Sequence, residues 1–338
     1  MTITAKVRKR AQLLLQTFVV VMVYLFLFFE LSKPEHQVWQ GFMQASEKIN
    51  IPLIIFVVLL MPINWLIESL KWRFLVKRIE MVSIKNAFQA VLAGTSISIF
   101  TPNRIGDYLG RIFMLKKGDR WDGTIATIVG NISQLLITLI MGSIALLYFS
   151  KHITLEILQW NKQWVWVFYL LIILIDTSLI YMYFKFPIIE KQWSRYFDIQ
   201  KNPFLKHFNL LSEYKRKDLY KVLSFSLLRY AIYSLQFFLV FKAYGLPLDF
   251  INGMMMVFFI FFSITIIPSI AIAELGIRGI ITIYIFQSIG TGYLSSNPTE
   301  SLLVSASSLL WFINLALPAF IGGLFIFNLR FFRKNDHL

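Results

Sequence analysis

Six apolar runs, at about 13–31, 51–70, 123–149, 164–184, 222–244 and 302–327, approach the roughly 20 residues that a helix needs to cross bilayer hydrocarbon. Lys6, Arg8, Lys9 and Arg10 precede the first run. No small-residue cleavage site follows it, so it reads as a retained anchor rather than a removed signal peptide. Residues 32–50 are close to neutral, whereas Lys71, Arg73, Lys77 and Arg78 close the second run. Basic loops stay in the cytoplasm, which puts the N-terminus and the 71–78 end inside and 32–50 outside.

Two stretches depart from this pattern. Residues 86–115 hold two apolar arms of about 15 residues around Thr101-Pro102-Asn103-Arg104-Ile105-Gly106-Asp107, each too short to span. The next loop is basic again, with Lys116, Lys117 and Arg120, which predicts a re-entrant hairpin entering and leaving on the cytoplasmic side. Residues 253–289 repeat the pattern around Pro268 to Glu274, and the loop at 290–300 has no Lys or Arg, so the second hairpin enters from outside. The segment 186–221 carries Lys191, Arg195, Lys201, Lys206, Lys215, Arg216 and Lys217. It is cytoplasmic by the same rule and too short for a core of its own, which makes it an ordered or partly helical linker. The last run returns to Arg330, Arg333 and Lys334, leaving both termini inside. The predicted architecture is an all-α integral membrane protein, a single domain over 1–338, with six transmembrane helices and two re-entrant hairpins.

Shifting the chain on itself by about 165 residues brings Ser69-Leu70 onto Ser234-Leu235, Lys77 onto Lys242, Pro102 onto Pro268, Asp107 onto Glu274 and Arg111 onto Arg278. Each half, 12–149 and 163–327, then reads crossing, crossing, hairpin, crossing. One starts inside and the other outside, which makes the repeat inverted. Inverted repeats with broken helices place a transporter's binding site at the repeat interface.

Composition sharpens the class. Hydrophobic residues make up 57% of the 338 and charged ones only 15%, against about 25% in soluble domains, which excludes an ordinary cytosolic enzyme. The net charge of +15 would suggest nucleic acid in a soluble chain. Here the cytoplasmic loops account for it, and no nucleic-acid partner is expected. No cysteine is present, so there is no disulfide framework, thiolate nucleophile or Cys-metal site.

The charges that remain inside apolar segments carry the candidate chemistry. A proline breaks the incoming arm of each hairpin, so helix should end near Thr101 and Ile267. Asp107/Arg111 and Glu274/Arg278 are spaced i,i+4 on the outgoing arms and can pair within the helix. Gly106, Gly110, Gly276 and Gly279 beside them admit close approach of a backbone or ligand. Exposed to lipid, these four charges with Arg104 would cost on the order of 10 kcal/mol, so they must line protein or water. Arg104, Arg111 and Arg278 offer planar forks matched to phosphate oxygens, with Asp107 and Glu274 orienting them or carrying protons. The alternative is that the pairs only lock the hairpins to their neighbours. Glu68, with Asn64 four residues earlier, faces one side of the second crossing or snorkels to the interface. Pro102, Gly106 and Pro268 complete the secondary candidates. Asp176 and Arg229 lie in the crossings over 164–184 and 222–244, where they could pair with each other. Asn131, Gln134 and Asn314 read as interhelical hydrogen-bonding residues.

Catalytic constellations are missing from the sequence. His36, His152, His207 and His337 show no metal spacing, and there is no Walker loop, GxSxG or GxGxxG. No enzymatic role, cofactor or metal is expected.

The segment Glu68-Ser69-Leu70-Lys71-Trp72-Arg73, the break from Thr101 to Asp107 followed by Arg111, and the second break from Pro268 to Glu274 resemble the lysylphosphatidylglycerol synthase transmembrane, or flippase-like, family. The likeness runs from about residue 12 to 327. The first break matches the family's Pro, Arg, Gly and acid at Pro102, Arg104, Gly106 and Asp107, whereas the second lacks the usual glycines before Glu274. The resemblance implies a bacterial inner-membrane protein that moves a lipid headgroup between leaflets, without the soluble aminoacyl-transferase domain. The expected partners are membrane lipids with an anionic or phosphate-bearing headgroup. A solute or ion transporter of the same architecture, or a non-transporting accessory subunit of a membrane glycosyltransferase or lipid synthase, are the rival expectations.

Overall fold

The computed structural model describes residues 5–31, 49–99, 101, 104–151, 162–193, 207, 209–267, 271–289 and 298–332. Among the described residues there is no strand. The helices are α1 (Ala5–Leu31), α2 (Ile51–Val76), α3 (Ile84–Ser98), α4 (Gly106–Ile112), α5 (Arg120–Lys151), α6 (Lys162–Trp193), α7 (Asn209–Glu213), α8 (Arg216–Ala243), α9 (Phe250–Ile266), α10 (Ala271–Ser288), α11 (Glu300–Trp311) and α12 (Leu317–Phe325). A π-helical turn, Phe312–Ala316, joins α11 to α12.

Five segments are long and apolar enough to cross a membrane: Ile51–Val76, Arg120–Ser150, Trp164–Lys185, Arg216–Ala243 and Glu300–Asn328. They coincide with five of the six crossings expected from the sequence, and the remaining run lies in the 27-residue α1. This is a multi-pass membrane protein.

Polar caps set where helices begin. The Asn50 side chain accepts the Leu53 amide at 3.2 Å at the start of α2, and Ser83 accepts that of Asn86 at 3.2 Å before α3. Asp249 does the same for Asn252 at 3.1 Å before α9. Amide donation from Asn252, first from its backbone and then from its side chain, holds the Asp249 carboxyl below the usual carboxylate range.

Close approach between backbones explains the arrangement around the centre. The chain reverses between α3 and α4, so that Gly110 lies against Gly94: a Cβ on Gly110 would sit 2.1 Å from the Gly94 nitrogen. Gly106 meets the Ile97 carbonyl in the same antiparallel register, where a Cβ would sit 2.5 Å away. α3 also packs on α12, where a Cβ on Gly322 would fall 2.0 Å from the Leu92 carbonyl oxygen. The matching contact lies across the molecule: α9 packs on α5, and Gly142 of α5 makes room for the Phe262 ring of α9. α2 and α8 pack directly on each other between these two pairs.

The hairpins are less alike than the sequence predicts. The outgoing arm of the first was expected to be about 15 residues, but α4 has seven. The cause is local. The Glu80 carboxylate accepts the backbone amides of Lys116, Lys117 and Gly118 at 2.8, 2.8 and 2.9 Å, and this takes the chain out of helical hydrogen bonding after Ile112. In the second hairpin α9 ends at Ile266 and Ile267 is extended, as the proline after it requires. Pro102 and Pro268 themselves lie outside the described residues.

Candidate functional site

A cavity of about 470 Å³ opens between the two hairpins and the central pair α2 and α8. Glu68, Arg104, Asp107, Arg111, Arg229, Glu274 and Arg278 line it, together with Thr95, Asn131, Gln134, Tyr230 and Tyr233. All five leading candidates from the sequence are thus brought to one place from α3–α4 and α10. Leu135 and Ile267 line the same cavity while remaining 45% and 42% exposed, so its rim is apolar on the outer surface.

The charges form two clusters. In the first, Glu68 is the hub: its carboxylate lies 2.8 Å from Lys71 Nζ, 2.9 Å from Arg111 Nη1 and 3.5 Å from Arg229 Nε. Arg111 also pairs with Asp107 at 2.8 Å, the i,i+4 pair expected from spacing. Lys71 is buried behind the cavity, where it donates to the Gly130 carbonyl at 3.2 Å and to Ser226 Oγ at 3.3 Å. Arg229 lies over the Trp65 ring at 5.2 Å.

In the second cluster one carboxylate serves two guanidinium groups. Glu274 accepts from Arg278 at 2.6 Å and from Arg104 at 2.5 Å. Arg278 donates further to the Tyr233 hydroxyl at 3.1 Å and lies 6.0 Å from the Phe261 ring. The Arg104–Glu274 pair ties the first hairpin to the second. Arg104 has φ +57°, the single positive value among the described non-glycine residues, a left-handed backbone that follows the turn at Thr101.

A family model described as the lysylphosphatidylglycerol synthase TM region matches residues 13–316. The chain belongs to this family. The match begins in α1 and ends in the π-helical turn, so it takes in both hairpins and every residue of both charged clusters. No curated protein and no solved structure matches the chain.

Several expectations change within this frame. Glu68 does not snorkel: it is buried at the meeting point of three cations. Asn64, one turn away, does not line the cavity but meets Asn314 of the π-helical turn at 3.5 Å. Arg229 and Asp176 do not pair, since Asp176 accepts from Ser143 at 3.0 Å while Arg229 turns to Glu68. Arg229 and Lys71 therefore join the site; the signal for Lys71 was its i,i+3 spacing from Glu68, whereas Arg229 showed only as a charge within an apolar run. Asn131 does bridge helices, donating to Tyr108 at 2.9 Å, whereas Gln134 lines the cavity with a buried oxygen that accepts no hydrogen bond. Gly276 faces open space rather than a neighbouring backbone, and Gly279 is in ordinary contact with Val304.

The sequence shows no metal spacing, yet the fold brings Asp119, Asp122 and His207 within 4.8 Å of one another. His207 Nδ1 lies 2.7 Å from Asp122, and Asp119 already accepts the Trp121 amide at 2.8 Å. None of the three lines the cavity; the contact docks residue 207 on the start of α5.

Proposed function

We propose that this protein is a flippase-like translocase that moves a phospholipid or lipid-linked phosphate headgroup between leaflets, with no enzymatic step of its own. The observation that carries the reading is a cavity inside an apolar protein lined by four arginines against three carboxylates. Guanidinium forks suit phosphate oxygens, and a polar cleft removes the idealised cost of order 20 kcal/mol for taking a charged group into hydrocarbon. The exposed Leu135 and Ile267 at the rim favour a lipid over a soluble cargo, because they give acyl or polyprenyl chains an apolar way out to the side.

The reading includes six crossings with two re-entrant hairpins in an inverted repeat, both termini cytoplasmic, in a bacterial inner membrane. Reciprocal packing supports the repeat: each half's last crossing offers a glycine, Gly142 or Gly322, to the first hairpin helix of the other half. The distribution of Lys and Arg supports the orientation.

Proteoliposomes with a panel of labelled anionic, aminoacylated and polyprenyl-phosphate lipids test the function. Wild type is expected to move at least one of them, and Arg111→Ala and Arg278→Ala to lose most of that rate. Variants as active as wild type on every lipid moved would remove the assigned site. A protein that moves none would favour the accessory role.

A further inference from the structure

The two clusters share a charge imbalance. Among the described residues, Lys71, Arg111 and Arg229 of the first face only Glu68 and Asp107, and Arg104 and Arg278 of the second face only Glu274. Each therefore keeps one uncompensated positive charge. Among the described residues each also keeps one buried guanidinium N–H that makes no hydrogen bond: Arg278 Nε in the second, and in the first Arg229 Nε, which meets Glu68 only at 3.5 Å. An excess of buried positive charge is expensive even when each cation has a carboxylate beside it, and a buried donor that makes no hydrogen bond adds to that cost. Two such positions, one on each side of a single cavity, describe a ligand rather than a packing fault.

From this we infer that the cavity selects a headgroup carrying two negative charges, a terminal phosphate monoester or a diphosphate esterified at both ends, over a singly charged phosphodiester. The inference rests on the proposed translocation of a phosphate-bearing lipid and narrows its cargo. A dianion neutralises both clusters at once. A diester neutralises one and leaves the other cationic. Arg104 is the mobile element of the pair: its side chain is 42% exposed, against 3% for Arg278, so it can leave Glu274 for an incoming phosphate while Arg278 stays fixed. Arg229, 20% exposed and held by Glu68 at only 3.5 Å, has the same freedom in the first cluster.

The test compares binding of dioleoylphosphatidic acid and dioleoylphosphatidylglycerol to the purified full chain at pH 8.5, where the first carries two charges and the second one on identical tails. Phosphatidic acid is expected to bind at least tenfold more tightly. Arg229→Gln and Arg278→Gln, each removing one positive charge, are expected to bring that ratio below threefold. Equal or tighter binding of phosphatidylglycerol to wild type overturns the two-charge rule and leaves translocation standing, and this comparison does not depend on the variants folding. Binding of neither lipid overturns both. Inorganic phosphate, a dianion at this pH, bound as tightly as phosphatidic acid keeps the two-charge rule but makes the ligand a solute, overturning the lipid reading alone.

Discussion

Glu68 shows how much one side chain can decide inside a membrane protein. It is nearly inaccessible and lies within salt-bridge distance of three cations, two of which line the cavity. Removing one partner from a buried ion pair leaves the other charge uncompensated, which typically costs about 3–5 kcal/mol. Glu68→Ala is expected to lose about that much unfolding free energy in a detergent titration. Glu68→Gln should lose less, because its amide oxygen can still accept from either Lys71 or Arg111, which meet different oxygens of the carboxylate. Arg104 presents the opposite problem, a side chain that is wanted on a backbone that resists it. At φ +57° an L-residue is strained by about 1–2 kcal/mol, and only glycine escapes. Both Arg104→Ala and Arg104→Gly remove the ion pair to Glu274. Arg104→Gly should nonetheless be the more stable by about 1 kcal/mol in the same titration, and equal stabilities would mean that the turn relaxes once the pair is gone.

At the level of elements, the two hairpins reach similar chemistry with different supports. In the first, α3 and α4 touch backbone to backbone at Gly94 and Gly110, so no side chain can give way. Gly110→Val is expected to abolish folded protein in a size-exclusion assay, whereas Gly276→Ala, which meets open space, should elute as wild type does. The turn after α4 depends on Glu80. Glu80→Ala strips an acceptor from three amides at once and should speed hydrogen exchange at Lys116, Lys117 and Gly118 at least tenfold, with little change in α3. Much of this was legible in the sequence. Prolines mark where the incoming arms of the hairpins stop, and spacing alone places Asp107 with Arg111 and Glu274 with Arg278. The short α4 was not legible, because the acid responsible lies 36 residues before the amides it binds. Nor was the partner of Arg229, since an isolated charge in an apolar run announces burial but not which of several acids across the bundle it meets.

For the whole molecule, the decisive question is whether the hairpins turn back within the membrane. α3 has 15 residues and α9 has 17, so at 1.5 Å per residue they reach about 22 and 26 Å, short of the roughly 30 Å of hydrocarbon. α3 packs on α12 and α9 on α5, and the broken end of each hairpin lies at the cavity, at Ser98 and Ile267. If both are re-entrant, the flanks of each hairpin share one side and the two hairpins open to opposite sides. The absence of native cysteine makes this directly measurable. Single Lys77→Cys and Lys117→Cys variants flank the first hairpin, and Pro247→Cys and Thr299→Cys flank the second; all four native positions are exposed. A membrane-impermeant maleimide is expected to label the second pair in intact spheroplasts and the first pair only in inverted vesicles. Labelling of the two members of either pair from opposite sides would make that hairpin a full crossing, and the half to which it belongs would lose the broken helix on which a binding site at the repeat interface depends.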